Sequence, residues 1–239
     1  MSSLHSTVKA MVFDTFGSVV DWRGSIVRDL TKWGNENGFQ ADWTLFAEQW
    51  RSMYQPSMEA CRSGKREFTV LDVLHRESLD VLIDKFGLSK MTEAQREHVN
   101  KVWHRLDGWP DSVGGLARLK SKYIIAPLSN GNISLLTDIA KYTGLPWDLN
   151  LSTEVFRCYK PQPESYLGVC HALRLEPSEV MMCAAHNNDL LAAKNCGLKT
   201  AFWPRPTEYG PNQTDNLVAT EAWDVVAKDI RDLATQMGV

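Results

Sequence analysis

A mostly apolar run that ends in a carboxylate constrains this chain more than any other stretch. Val8 to Phe13 lead into Asp14, and Gly17 and Ser18 come almost at once. A short apolar run bounded by turn residues reads as a buried strand. Asp14 then stands at the carboxyl end of that strand, where open α/β sheets place their ligand sites. A carboxylate is costly to bury unpaired, so it either caps a turn or does chemistry.

The next 80 or so residues decide the architecture. From Ser25 to Leu106 the apolar spacing is helical: Ser25 to Asn37, Trp43 to Cys61, Phe68 to Phe86 and Thr92 to Leu106. The last opens on Thr92-x-x-Gln95, a capping-box pattern. About 80 residues of helix before a second strand exceed any ordinary βα crossover. The expectation is a helical cap domain, residues 23–106, inserted into an α/β core of residues 1–22 and 107–239. Buried strands then alternate with helices: Tyr123 to Leu128, a short strand over Leu149 to Val155, Val180 to Ala185, Lys199 to Trp203, and an edge strand over Ala222 to Val226. That alternation predicts a Rossmann-like, doubly wound parallel sheet.

Composition excludes several classes. The 239 residues are 44% hydrophobic and 23% charged with a net charge of −3, which disfavours nucleic acid or an anionic membrane as partner. No apolar stretch is long enough to span a bilayer. The first residues lack a secretory pattern. Five cysteines without C-x-x-C pairs read as a reduced, cytoplasmic protein without structural zinc. Cys183 and Cys196 read as core fillers.

Four polar clusters come after strands and would share one sheet edge: Asp14 with Ser18, Ser129-Asn130, Lys160-Pro161, and His186-Asn187-Asn188-Asp189. In this order and spacing they resemble the haloacid dehalogenase superfamily over nearly the whole chain. Phosphatases of that superfamily carry a second Asp two residues after the nucleophile, as general acid for a departing alkoxide. Here Phe16 stands there. A phenyl ring transfers no proton, and halide leaves without one. The sequence therefore resembles the L-2-haloacid dehalogenase branch.

The resemblance implies roles. Asp14 would be the nucleophile, and Lys160 would keep it ionised. Ser18 would donate its hydroxyl to that carboxylate. Arg51, on the second cap helix, would stabilise the developing halide, with Asn130 sharing that role and Ser129 holding the substrate carboxylate. Asp189 would position Lys160 and the hydrolytic water. Phe16, Trp22 and Tyr166 would lie beside the substrate. The fourth motif departs from the family pattern, with Ala184 for the usual serine and His186 for the usual asparagine. His186 stands open as a hydrogen-bonding replacement, a water activator or a leaving-group contact. Each of these residues also has a plain structural reading as turn, surface or core residue.

With Phe16 the family's metal site is incomplete, so no metal or other cofactor is expected. The implied substrate is a short (S)-2-haloalkanoic acid, with fluoroacetate among the candidates, converted to a 2-hydroxy acid through an aspartyl ester. A homodimer is expected by analogy alone. Two alternatives stand beside this: a magnesium-dependent phosphatase of the same fold, and a non-catalytic protein on that fold.

Overall fold

The computed structural model describes residues 2–239, with side chains from Leu4 onward. A short helix α1 (Ser2–Thr7) precedes β1 (Ala10–Phe13), whose four residues are all buried. Two-residue strands β2 (Val20–Asp21) and β3 (Asp107–Gly108) pair antiparallel. Between them lies an all-helical block: α2 (Trp22–Asn37), α3 (Trp43–Ser52), α4 (Tyr54–Arg62), α5 (Leu71–Lys85), α6 (Glu93–Asn100) and a 3₁₀ turn over Lys101–His104. The chain then runs through α7 (Ser112–Lys120), β4 (Ile124–Pro127), α8 (Ile133–Thr143), α9 (Thr153–Phe156), α10 (Pro163–Leu173), β5 (Val180–Ala184), α11 (Asn187–Asn195), β6 (Lys199–Phe202), β7 (Val225–Val226) and α12 (Ile230–Gln236).

The sheet order is β4-β1-β5-β6-β7, and every pairing is parallel. Both faces are covered, as the buried strands require. Met11 and Phe13 of β1, with Met181 and Cys183 of β5, point into the core that continues into the helical block. Val12, Met182 and Ala184 point into a second core on the other face. This two-residue alternation is the strand pleat expressed as two hydrophobic layers. The strand order reverses at β1, so the crevice between the carboxyl ends of β1, β4 and β5 is the topological switch point where such sheets bind ligands.

Three expectations fail for local reasons. The helix expected over Trp43 to Cys61 breaks at Met53 into α3 and α4. Pro56 has no N–H for the Ser52 carbonyl and is tolerated only in the first turn of a new helix. The strand expected over Leu149 to Val155 does not form. The chain meets the β4 edge at Asp148, whose N–H donates to the Ile125 carbonyl, and then peels away. Asn150 donates to the Ile133 carbonyl instead, and Ser152 caps α9 by accepting from the Glu154 N–H. Side-chain bonding to nearby backbone outcompetes a ladder there. The helix expected from Leu190 starts three residues earlier, at Asn187, with His186 at its N-cap position. The Thr92–Gln95 capping box is present.

Candidate active site

Asp14 comes directly after β1, and its N–H still donates to the Cys183 carbonyl of β5. Its side chain is thereby aimed from the switch point into a cavity of about 620 Å³. Each carboxylate oxygen has distinct partners. Lys160 Nζ donates to Oδ1 at 3.0 Å. Ser18 Oγ donates to Oδ2 at 2.7 Å, and His186 Nδ1 lies 2.9 Å from that same oxygen. The Ala185 N–H donates to Ser18 Oγ at 2.9 Å, which orients the hydroxyl proton toward Asp14. Burial alone would push the Asp14 carboxyl up. The Lys160 ammonium, the His186 contact and the Ser18 hydroxyl outweigh it and hold the group well below the usual carboxylate range.

Lys160 lies on the turn before α10 and also donates to Asp189 Oδ2. Tyr166, on the first turns of α10, donates its hydroxyl to Asp189 Oδ1. Burial would strip Lys160 of its proton, but Asp14 and Asp189 on either side raise its pKa instead. The Lys160 N–H is in turn anchored by the Asn130 side-chain oxygen at 2.8 Å.

His186 bridges two carboxylates. Its Nε2 sits 2.8 Å from Glu208 Oε2, and Glu208 Oε1 accepts from Trp22 Nε1 at 3.1 Å. Burial opposes the charged imidazole, yet Glu208 and Asp14 together push its pKa well above the ordinary histidine value. Glu208 comes from the loop after β6 and is almost fully buried. A Cβ on Gly17 would come 2.0 Å from Glu208 Oε1, and Gly17 has φ +84. Only glycine meets both demands there. Three carboxylates (Asp14, Asp189, Glu208) thus face three basic groups (Lys160, His186, Arg51) in one buried cluster, which offsets the desolvation that isolated charges would suffer.

The opposite wall comes from the helical block. Arg51, at the end of α3, lays its guanidinium over the Tyr54 ring at 4.2 Å and near Trp22 at 5.5 Å. Its buried Nη1 has no hydrogen-bond partner among the described residues. Phe16 meets Tyr54 and Trp103 edge-on, at 6.3 and 5.7 Å between ring centroids.

Of the residues singled out from the sequence, Asp14, Phe16, Arg51, Asn130, Lys160, Tyr166, His186 and Asp189 all line this cavity. Ser18 is fully buried and reaches it through Asp14. Two are placed elsewhere. Ser129 is fully buried behind the wall, with its Oγ accepting from the Gly131 N–H. Trp22 borders a neighbouring cavity of about 320 Å³ and serves Glu208. Tyr166 spends its hydroxyl on Asp189. Sequence reasoning missed Tyr54, Tyr209 and Glu208. For Glu208 the only signal was indirect, since a buried imidazole on a carboxylate wants a second acceptor.

Comparison with known proteins places the chain. The family model of haloacid dehalogenase-like hydrolases matches residues 8–197. The chain belongs to that family. Within it, a crystal structure of a defluorinating L-2-haloacid dehalogenase superposes with a TM-score of 0.94 at 48% identity, covering 97% of this chain and 96% of that one. Another L-2-haloacid dehalogenase superposes with the same TM-score at 45% identity, over 96% and 98% of the two chains. The (S)-2-haloacid dehalogenase 4A of Burkholderia cepacia is 27% identical, over 95% of this chain and 99% of its own. The haloacid dehalogenase fold is therefore established for this chain, and with it the L-2-haloacid dehalogenase branch.

Proposed function

We propose that this hydrolase cleaves the carbon–halogen bond of short (S)-2-haloalkanoic acids, giving 2-hydroxy acids through an ester on Asp14. One observation carries the reading. A buried carboxylate is held ionised at the switch point, while the place of a general acid two residues on is filled by the Phe16 ring. Such a site can expel a leaving group that needs no proton, and it is poorly built for an alkoxide. The activities for which the relatives are named agree, and they bring the preference for the S enantiomer.

The helical segment acts as a cap on this reading. Arg51, with its unpartnered Nη1 stacked on Tyr54, meets the developing halide, and Asn130 assists. Asp189, held by Tyr166 and Lys160, takes the proton of the hydrolytic water. Because Lys160 and His186 already supply cationic partners to Asp14, turnover needs no added metal.

The test is halide release from chloroacetate, fluoroacetate and racemic 2-chloropropionate without metal. Wild type releases halide from the S enantiomer. Asp14→Asn releases none, a loss on the order of 10⁶-fold for removal of a nucleophile. Hydrolysis of an aryl phosphate with magnesium, in place of halide release, would sink the reading.

A further inference from the structure

The His186–Glu208 pair has no place in the roles carried over from the family, and its geometry assigns it one. The imidazole has a carboxylate oxygen 2.9 Å from Nδ1 and another 2.8 Å from Nε2. Carboxylate oxygens only accept, so both contacts require both nitrogens to donate. His186 is therefore an imidazolium with no free nitrogen. It then has no nitrogen left to take a proton from water or to donate to a halide.

The two oxygens of Asp14 are not equivalent. Oδ2 accepts from Ser18 Oγ and from His186, which occupies both of its in-plane lone pairs. Oδ1 accepts from Lys160 alone and keeps a lone pair free. We propose that Glu208, through the His186 imidazolium, is a positioning residue that reserves Oδ1 for attack and holds Oδ2 as the carbonyl oxygen of the ester. This rests on the ester reading above and deepens it.

The chemistry then runs atom by atom. An Oδ1 lone pair attacks the carbon bearing the halogen, and the C–X electrons leave with halide. The ester carbonyl is Cγ=Oδ2, already bound by two donors. Water adds to Cγ, its proton passes to Asp189, and the π pair moves onto Oδ2. That oxyanion is met by the Ser18 hydroxyl and the imidazolium without rearrangement. Collapse breaks Cγ–Oδ1, and Lys160 protonates the departing alkoxide. Lys160 recovers its proton from Asp189, and the added hydroxyl loses its remaining proton to solvent as the carboxylate reforms. The net reaction converts haloacid and water to hydroxy acid, halide and one proton.

Two features show that the pair is built for this place. Gly17 forgoes a side chain where a Cβ would strike Glu208. Trp22 Nε1 fixes the second oxygen of Glu208, so the carboxylate cannot turn away from His186. The groups around His186 are Asp14 at the β1 end, Glu208 and Tyr209 from the loop after β6, Lys160 and Asp189 from the core, and Arg51 and Tyr54 from the helical block.

Rapid-quench kinetics with intact-protein mass spectrometry separate the two steps. In Glu208→Gln with 2-chloropropionate, one equivalent of halide is released at near the wild-type rate. The ester then accumulates on Asp14, and steady turnover falls about 10²-fold, the usual cost of weakening an oxyanion donor. His186→Ala, which removes the donor and is the second variant should the first fold poorly, shows the same burst and stall. The alkaline limb of ester hydrolysis moves to lower pH in Glu208→Gln, because losing the anion makes the imidazolium easier to deprotonate. Burst and turnover falling together, or no change in either, would overturn the proposal while wild-type halide release left the function standing. A wild type that releases no halide would remove the function and this proposal with it.

Discussion

The two walls of the cavity are built on opposite rules. On the core wall, Asp14, Lys160, Asp189, Tyr166, His186 and Glu208 satisfy one another through hydrogen bonds of 3.0 Å or less. On the helical wall and the aromatic layer behind it, Arg51 Nη1, Trp103 Nε1 and both ring nitrogens of His75 are buried with no hydrogen-bond partner among the described residues. A fully paired wall is rigid, and each charge holds its neighbour's protonation state. A wall with unmet donors keeps its hydrogen-bonding capacity for an anion. On the proposed mechanism the core wall would do the covalent work, and Arg51 on the helical wall would receive what arrives and departs as an anion.

Arg51→Lys probes the helical wall with the largest effect after loss of the nucleophile. The charge is kept, but the planar fork and its stacking on Tyr54 are lost. The halide burst slows by about 10²-fold, with little ester accumulating. That is the reverse of Glu208→Gln, so the pair of variants assigns one chemical step to each wall. Accumulation of ester in Arg51→Lys would erase the distinction.

His75→Phe probes the same contrast with a smaller effect, on stability. His75 is buried and stacks on Trp103 at 4.3 Å. Burial presses its pKa down to about 3. Below the ordinary value near 6.5 the unfolded chain binds a proton that the folded chain refuses. Stability therefore falls as pH drops from about 6.5 toward 3, by up to roughly 1.4 kcal/mol per pH unit from this group. His75→Phe removes that slope and relieves two unpaired ring nitrogens, so thermal melts at pH 5 come out equal to or above wild type. A lower melting temperature at pH 5 would show that the polar ring is needed where it sits.

Much of the sheet was legible because its signals are local. The runs at Ala10–Phe13, Ile124–Pro127 and Val180–Ala184 are short, apolar, buried but for Ile124, and lead into polar clusters. Their convergence comes from parallel winding. The strand expected near Leu149 failed because Asn150 and Ser152 bond to nearby backbone, a competition that hydropathy does not register. The order of Asp14, Arg51, Lys160 and Asp189 pointed to one cavity through family resemblance. Glu208 was invisible for a different reason. It lies in a Pro/Gly/Asn-rich loop with no periodicity, and its contacts with His186, 22 positions away in the chain, and with Trp22 give it meaning. Ser129 shows the converse. A strand-end serine looks open to a ligand, yet here it is fully buried and does not line the cavity.

The covalent role of Asp14 is best tested by a single turnover in H₂¹⁸O with enzyme in excess over (S)-2-chloropropionate. Hydrolysis of an Asp14 ester at Cγ places the label in the Asp14 carboxylate and leaves the first hydroxy acid unlabelled, with its new C–O bond inherited from the protein. Mass spectrometry of the peptide containing Asp14 and of the product reads both. Label in the peptide and none in the product is the expected result. Label directly in the hydroxy acid, with an unlabelled peptide, would mean that water attacks the substrate itself and would contradict the ester on which the mechanism rests.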